Sequence, residues 1–316
     1  MNRRDFLTTS ALASVAAATT TALPAAAAGH ATTLPIVQTH HVGAAKVTAI
    51  SDGFLPIGPE LLAGGDEATF AARLSDAHIC GAQHPTGVNA YLIETGDARV
   101  MVDAGTGAAM GPGLGQLGGN LAALGVDPAS ITHIVATHLH PDHVGGVLND
   151  NQNVFSGAEL IVSADDVAFW TNEEIAAGAP DDFKPFFALA AGVVQSFGER
   201  VRTVTGEADL GLGLTAMPMP GHTPGHMGVL LDSDGDQLLL WGDILHVPPV
   251  QLADPSVTIA FDADADMART TRARVMDMAA TDGLAVAGAH ISFPGIGYLE
   301  TAGTGFRWEA APYPYS

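Results

Sequence analysis

Cysteine is almost absent from this chain of 316 residues, and positively charged side chains are scarce. Cys80 is the single cysteine, so no disulfide bond can form within the chain. The 12 Lys and Arg residues stand against 34 Asp and Glu residues, which gives a formal net charge of -22. Such an acidic surface repels phosphate backbones, and we therefore expect no nucleic acid among the partners of the protein.

Two common catalytic motifs are missing as well. The sequence has no Gly-x-Ser-x-Gly motif, so it lacks the strand-to-helix turn that presents a serine nucleophile in many hydrolases. The glycine-rich stretch from Gly105 to Gly119 contains no Gly-Lys-Ser or Gly-Lys-Thr, so it is not a phosphate-binding loop. We expect this stretch to form a loop at the edge of an active site and to lead into a helix.

The N-terminus is predicted to be an export signal that takes no part in the fold. Arg3 and Arg4 precede an uncharged stretch rich in Ala and Thr, and the run from Ala25 to Ala28 offers a cleavage site. The segment resembles a twin-arginine signal, with an uncleaved anchor or a chance pair of arginines as alternatives. We therefore predict a signal peptide over residues 1–28, the twin-arginine export machinery as a partner, and a periplasmic or secreted mature protein.

Apolar strand patterns alternate with helical patterns over the rest of the chain, and no interior linker interrupts residues 29–316. After a loose lead-in over 29–45, strands are predicted at 46–53, 88–94, 98–102, 131–136, 160–162, 212–219, 227–231, 237–241 and 284–287, with a closing hairpin over 297–308. Helices are predicted at 117–124, 164–170, 181–197 and 263–280. This alternation predicts a single α/β domain and no finer architecture.

Histidine and aspartate cluster where one predicted strand ends. The strand over 131–136 is followed by Thr137-His138-Leu139-His140-Pro141-Asp142-His143. Imidazole and carboxylate groups bind borderline divalent metals, and α/β proteins gather reactive groups at the ends of strands. Four such side chains within six residues cannot all reach one ion, so the spacing favours two adjacent metals. A polar loop that is merely rich in histidine is the alternative.

Three later segments each place another candidate ligand after a predicted strand. They are Gly221-His222-Thr223-Pro224-Gly225-His226, Trp241-Gly242-Asp243 and Gly288-Ala289-His290. Together, these motifs resemble those of the metallo-β-lactamase fold superfamily in its two-metal hydrolase form, over about residues 47–308. The resemblance implies an αβ/βα four-layer sandwich, in which two stacked β-sheets carry helices on their outer faces.

The resemblance also implies which residues bind each metal. The first metal would be bound by His138, His140 and His222, the second by Asp142, His143 and His290, and both by Asp243. Zinc is the expected ion, with manganese, iron or cobalt as alternatives at such a site. The two ions would share a bridging hydroxide that attacks the substrate.

Other residues near these motifs receive roles from the same resemblance. Asp142 and Asp243 are the expected catalytic residues, because Asp142 could accept a proton as well as bind metal. Asp103 is expected to orient a metal-bound histidine, with capping of a turn as the alternative. His133 and His226 lie near the ligands in sequence, and we expect structural roles for both.

The spacing of the ligands is similar to that of the methyl parathion hydrolase branch, whose relatives include lactonases. Trp170 and Phe187 match aromatic residues of that branch's pocket, and ordinary helix core is the alternative for both. Met110 stands where a further pocket aromatic is expected. Lactonases of the superfamily usually carry a tyrosine soon after the bridging aspartate, whereas this chain has His246 nearby, which becomes a candidate substrate contact.

We therefore expect an exported hydrolase of a lactone, aryl ester or phosphotriester that acts on a neutral or aromatic small molecule. One alternative is a mononuclear iron enzyme similar to thiol or persulfide dioxygenases, which the seven-residue ligand set disfavours. Another is a thioesterase, disfavoured by the short tail after His290. Asp243 stands where the true β-lactamases usually have cysteine, which disfavours antibiotic hydrolysis. A homodimer is a candidate assembly because relatives are often dimers.

Overall fold

Two mixed β-sheets of seven strands each form the centre of the computed structural model, which describes residues 35–79, 81–111 and 113–312. The strands are β1 (Val37–Val42), β2 (Ala45–Ile57), β3 (Leu62–Ala63), β4 (His84–Thr95), β5 (Ala98–Val102), β6 (His133–Val135), β7 (Leu148–Asn149), β8 (Gln152–Asn153), β9 (Glu159–Ser163), β10 (Val201–Val204), β11 (Ala208–Gly211), β12 (Leu214–Pro218), β13 (Met227–Ser233), β14 (Asp236–Leu240), β15 (Thr258–Ile259), β16 (Ala285–Ala287), β17 (Ile296–Ala302) and β18 (Gly305–Ala310). The first sheet has the order β1-β2-β4-β5-β6-β9-β10, and the second has the order β11-β12-β13-β14-β16-β17-β18.

The helices vary from single turns to a helix of 18 residues. They are α1 (Glu67–Asp76), α2 (Leu117–Ala123), α3 (Pro141–Val144), α4 (Ala164–Trp170), α5 (Glu173–Gly178), α6 (Lys184–Phe197), α7 (Pro248–Gln251) and α8 (Ala265–Asp282). Side-chain caps define several starts: Ser163 accepts from the N–H of Asp165 in α4, and Asp264 accepts from the N–H of Met267 in α8. The longest helix, α8, ends at Gly283, whose φ of 61° suits a residue without Cβ.

Three hydrophobic clusters lie between and outside the two large sheets. The cluster between the two sheets includes Val47 and Ile93 from the first sheet, and Val229 and Leu240 from the second. A second cluster packs the outer face of the first sheet against α4 and α6, and a third packs the second sheet against α8. Helix, sheet, sheet and helix therefore form four layers, and the predicted αβ/βα sandwich is confirmed.

The described residues correct two sequence expectations near the N-terminus. The predicted loose lead-in contains β1, which pairs antiparallel with β2 along the sheet edge. In addition, β2 does not end at Asp52 and Gly53 but passes through a bulge there and continues to Ile57. The turn-like residues mislead because Asp52 is buried and accepts hydrogen bonds from the N–H groups of Thr106 and Leu117. It thereby fixes the glycine-rich loop.

The predicted signal over residues 1–28 lies outside the described residues and stays a prediction, as do export and dimerisation. The described residues belong to one compact unit that begins at Pro35. Within that part of the chain, no helix combines the length and the apolar character that a membrane crossing needs.

Candidate metal centre

The seven predicted ligands meet at one edge of the sandwich, because each follows the end of a strand. His138 and His140 lie in the loop after β6, and Asp142 and His143 lie in α3 directly behind it. The other three ligands follow strands of the second sheet: His222 comes after β12, Asp243 after β14 and His290 after β16. Each sheet therefore contributes part of the site.

The first ligand group consists of His138, His140, His222 and Asp243, whose ligand atoms all lie within 4.8 Å of one another. His140 Nδ1 lies 3.0 Å from His138 Nε2 and 3.0 Å from His222 Nε2. His222 Nε2 is also 3.1 Å from Asp243 Oδ2. Zinc–nitrogen bonds of about 2.0–2.1 Å in a tetrahedron separate the ligand atoms by roughly 3.3 Å, so this spacing fits one ion.

The second ligand group consists of Asp142, His143, Asp243 and His290, again within 4.8 Å. His143 Nε2 lies 3.1 Å from Asp243 Oδ1, and His290 Nε2 lies 3.4 Å from Asp142 Oδ2. Asp243 thus belongs to both groups, with its two oxygens facing different histidines. These seven residues fall into the same two sets that the family resemblance implies.

Two buried atoms support the presence of a cation. His143 Nε2 and Asp243 Oδ1 have no hydrogen-bond partner among the described residues, although both are buried. Buried polar atoms in proteins are nearly always partnered, and these two, which lie 3.1 Å apart without forming a hydrogen bond, are placed as two ligands of one ion would be. The residues present therefore fit a divalent metal.

Hydrogen bonds on the outer ring nitrogens orient the histidines toward the two groups. His143 Nδ1–H donates to Asp103 Oδ2 at 2.8 Å, and His222 Nδ1–H donates to Asp262 Oδ1 at 2.9 Å. His290 Nδ1–H donates to the carbonyl oxygen of Gly87 at 2.8 Å. In each case Nε2 is left facing the centre, which is the arrangement found behind metal-bound histidines.

Burial and neighbouring charges shift the pKa values of the ionisable groups in the site in both directions. Burial lowers the pKa of both His138 and His140 well below the usual value, so these rings are neutral. Burial also lowers the pKa of His222, but Asp243 and Asp262 overcome this and raise it to about 9. Burial raises the pKa of Asp243, but the surrounding histidines bring it well below the usual value, so the carboxylate is ionised.

A cavity of about 100 Å³ opens directly above the ligand atoms. Its polar floor contains His140, Asp142, His222 and Asp243, and His246 stands beside them. The walls are apolar and come from Leu55, Pro56, Ile57, Leu61, Met110, Phe183, Phe186 and Phe261. Met110 lies in the glycine-rich loop, which therefore reaches the edge of the site.

Trp170 and Phe187 lie in a neighbouring cavity of about 600 Å³ and do not line the one above the ligands. This larger cavity shares His140, Phe183 and Phe261 with the smaller one. The Trp170 ring contacts the His140 ring edge-on with centroids 5.1 Å apart, and it packs on Phe187 at 4.6 Å. Both side chains also belong to the hydrophobic cluster on the outer face of the first sheet. Trp170 and Phe187 therefore line a cavity and also pack in the hydrophobic core.

His246 lies against the ligands without belonging to either group. Its Nε2 is 3.1 Å from Asp243 Oδ2, and its ring stacks on His290 with centroids 4.7 Å apart. Burial lowers the pKa of His246 to about 4, so the ring is neutral at pH 7. In the described part of the chain its Nδ1 is buried and has no hydrogen-bond partner.

Histidines 226 and 133 lie outside both ligand groups. His226 uses both ring nitrogens: Nδ1–H donates to the carbonyl oxygen of Met219, and Nε2 accepts from the N–H of Asp243. His226 therefore positions the backbone of a ligand. His133 is half-buried at the start of β6, with its Nδ1 2.8 Å from the hydroxyl of Thr132.

Two buried carboxylates that contact the ligand loops have no signal in the sequence. Asp262 hydrogen-bonds His222, as described above, and Asp166 accepts from the N–H groups of Leu139 and Gly225 at 2.9 and 2.8 Å. Neither lies beside a histidine motif in the sequence, and Asp166 falls within an ordinary amphipathic helix. Only the meeting of distant loops gives them partners, so no local signal could have identified them.

With this geometry in hand, comparison with known proteins defines the family. The profile of the metallo-beta-lactamase superfamily matches residues 85–290, which is more than half of the chain. The chain therefore belongs to the metallo-beta-lactamase superfamily, and the predictions of that superfamily and its fold are confirmed. The match starts at Pro85 in β4 and ends at the last of the seven candidate ligands, His290.

Two solved structures are similar to this chain over most of its length. The solved structure of the hydrolase AbOPH, of the beta lactamase superfamily, is 29% identical with a TM-score of 0.83, covering 89% of this chain and 99% of that one. AidC, a dizinc quorum-quenching lactonase solved with the product N-hexanoyl-L-homoserine, is 22% identical at the same TM-score and coverage, which shows the fold alone.

The curated relatives match only part of their own length. Thioesterase pkgB from Emericella nidulans is 29% identical over 165 residues, which cover 50% of this chain and 38% of that protein. The chain spans less than half the length of the first curated relatives it matches. The superfamily and the AbOPH likeness support the predicted metal-dependent hydrolase and leave its substrate open.

Proposed function

We propose that the protein is a dinuclear metal-dependent hydrolase that cleaves a neutral lactone, aryl ester or phosphotriester. The observation that carries this proposal is the pair of ligand groups that share Asp243 on the floor of an apolar cavity. One ligand group would serve a mononuclear enzyme, whereas two groups with a common carboxylate match the arrangement of two-metal hydrolases. Zinc is the proposed ion because the ligands are nitrogen and oxygen atoms at tetrahedral spacing.

The residues of this chain divide the work around the metals. Bound divalent ions supply an activated water near neutral pH and polarise the oxygen of the bond to be broken. Asp142 lines the cavity, and His143 and His290 bring its pKa below the usual range despite its burial. The carboxylate is therefore ionised and can accept a proton from the attacking water.

His246 provides the proposed polar contact for the substrate. Its neutral ring lines the cavity beside Asp243, and its buried Nδ1 lacks a partner among the described residues. A substrate seated over the ligands would therefore lie against the His246 ring at the cavity wall. The apolar walls would hold the remainder of the molecule by shape.

The charge of the two cavities favours a neutral substrate. Among the described residues that line them, none is Lys or Arg, while Asp142, Asp243, Asp262 and Asp264 are all present. An anionic group on the part of the substrate away from the metals would find no Lys or Arg side chain to pair with among these residues. The smaller cavity fits the reacting group, and the larger one beside it fits an aryl or alkyl extension.

A thioesterase is the second candidate, and its support is the likeness to thioesterase pkgB over half of this chain. The same ligands and the same apolar cavity walls would serve a thioester as well as an oxygen ester. A mononuclear iron enzyme is a weaker candidate, because it would leave the second ligand group unused.

The proposal is tested by metal analysis followed by a hydrolysis panel on the same protein sample. The panel contains dihydrocoumarin, N-hexanoyl-homoserine lactone, a nitrophenyl ester, methyl paraoxon, an acyl thioester and a penicillin. We expect two ions per chain and turnover of at least one neutral lactone, ester or phosphotriester, with none of penicillin. One ion per chain and no hydrolysis would overturn the proposal, while turnover of the thioester alone would select the second candidate.

A further inference from the structure

A buried carboxylate lies behind the first ligand group, on the far side of His222. The side chain of Asp262 is 0% exposed, and its Oδ1 accepts the hydrogen bond from His222 Nδ1–H. Its Oδ2 accepts from the backbone N–H of Ile259 at 3.1 Å. Both oxygens are therefore occupied, and the carboxylate cannot turn away from the histidine without losing a buried hydrogen bond.

A buried arginine from α8 neutralises this carboxylate. Arg272 is 1% exposed, and its Nη2 lies 3.5 Å from Asp262 Oδ2. Its Nε–H donates to the carbonyl oxygen of Ile244, the residue after Asp243, and its Nη1–H donates to that of Val257 at 2.7 Å. One guanidinium group thus joins the segment that carries the shared ligand Asp243 to the segment that carries Asp262.

The second ligand group has a different arrangement behind its own carboxylate-linked histidine. Asp103 accepts from His143 and also from the N–H and hydroxyl groups of Thr137. Within the described chain, no Lys or Arg forms an ion pair with Asp103. Each ligand group therefore has one histidine backed by a carboxylate, but only the first has a carboxylate paired with a buried cation.

We propose that Asp262, held by Arg272, is a positioning residue for the first ligand group and sets its metal affinity separately from that of the second. The carboxylate fixes the His222 ring with Nε2 toward the group and strengthens it as a ligand. Because Asp262 contacts His222 and no ligand that belongs to the second group alone, its main effect falls on the first group. The inference rests on the proposed binding of two ions.

The experiment measures cobalt binding to metal-free protein in competition with a coloured chelator at fixed pH. In a His290→Ala background, which lacks a ligand of the second group, the remaining binding step reports on the first group. We expect Asp262→Asn to raise the dissociation constant of that step by roughly 10–100-fold, as removal of such partners usually does. Asp103→Asn should change it less than Asp262→Asn does, because Asp103 reaches the first group only through the hydroxyl of Thr137, which lies 3.1 Å from His138 Nδ1.

Asp52→Asn is the matched control, because Asp52 is a buried aspartate whose partners are backbone and hydroxyl groups of the glycine-rich loop. It should lower the midpoint of thermal unfolding without changing the cobalt constant. An equal change in Asp262→Asn and Asp52→Asn, or no change in Asp262→Asn, would overturn the inference. If the double variant does not fold, Asp262→Asn alone should weaken one of the two wild-type constants and spare the other.

The failure of the proposed function gives a different result. Wild-type protein that binds a single cobalt ion would overturn the two-metal proposal, whatever the variants do. Wild-type protein that binds two ions with constants insensitive to Asp262→Asn would overturn only the role of Asp262. Circular dichroism of each metal-free variant establishes that its fold is retained before the constants are compared.

Discussion

The two sheets contribute to the metal centre in contrasting ways. The first sheet supplies four ligands from one stretch, His138 to His143, which spans a loop and the single-turn helix α3. The second sheet supplies three ligands from three separate loops, at His222, Asp243 and His290. The first half of the site is therefore organised locally, while the second depends on the pairing of β14 with β16 and on the course of the chain after β12.

Buried hydrogen bonds between the halves hold them in register. The N–H of Met227 donates to the carbonyl oxygen of Thr137 at 2.9 Å, and Asp166 binds the backbone of Leu139 in one half and of Gly225 in the other. Gly242 approaches so closely that an added Cβ would lie 2.5 Å from His226 Nε2, and its φ is 55°. The positions of the ligands relative to one another therefore depend on contacts between the two sheets as well as on the loops that carry the ligands.

The largest effect is expected from Asp243, the one ligand that both halves share. Asp243→Ala should remove most of both metals and lower activity by more than about 100-fold. Even the loss of a residue that only hydrogen-bonds a metal ligand usually lowers metal affinity or activity by about 10–100-fold. Metal analysis and turnover of the best panel substrate measure this, and circular dichroism should show a largely intact fold. Full activity in this variant would contradict the two-metal mechanism.

Removing one ligand from each half should separate the two groups. His143→Ala and His222→Ala are each expected to retain about one ion, because each residue belongs to one group only. Metal analysis after dialysis against a weak chelator gives the stoichiometry. His133→Ala is the control and should retain both ions, as His133 lies outside the groups. Loss of both ions from either variant would mean that the halves do not bind metal independently.

The link between the halves is expected to contribute mainly to stability. Asp166→Ala should lower the free energy of unfolding by about 2–6 kcal/mol, because two buried N–H groups lose their acceptor at about 1–3 kcal/mol each. Urea unfolding of the metal-free protein measures this. The neighbouring exposed residue provides a control, and Asp165→Ala should change stability by less than about 1 kcal/mol. Equal effects would argue against the inter-sheet link.

The smallest effect is expected in the apolar wall that the two cavities share. Phe183→Ala should raise KM for a hexanoyl lactone by roughly 5–30-fold, with a smaller change in kcat. The loss of a few apolar contacts usually weakens substrate binding by about this factor. Because Phe183 is only half-buried, the fold should tolerate its truncation. A substrate with a short acyl group should respond less, and an equal response for short and long groups would contradict the proposed division of the cavities.

Many of the fold's elements could be predicted because their patterns are local. The bounds of β5 and α4 agree with the sequence prediction, and those of α6 and α8 differ by a few residues at their ends. The prediction failed where tertiary contacts overrode local signals. Asp52 and Gly53 resemble a turn, yet the buried carboxylate holds a distant loop and the strand continues through a bulge.

The sequence by itself determined the chemical identity of the site, since histidine and aspartate ligands follow strand ends in a recognisable order and the superfamily follows from them. Only the tertiary structure decided the neighbours of those ligands. Asp262, Asp166 and His226 become functional through contacts between segments far apart in the chain, and Trp170 and Phe187 acquire a separate cavity through the packing of α4 and α6. The physical reason is that ligand chemistry belongs to single side chains, whereas orientation, charge pairing and cavity shape arise only when distant surfaces are packed together.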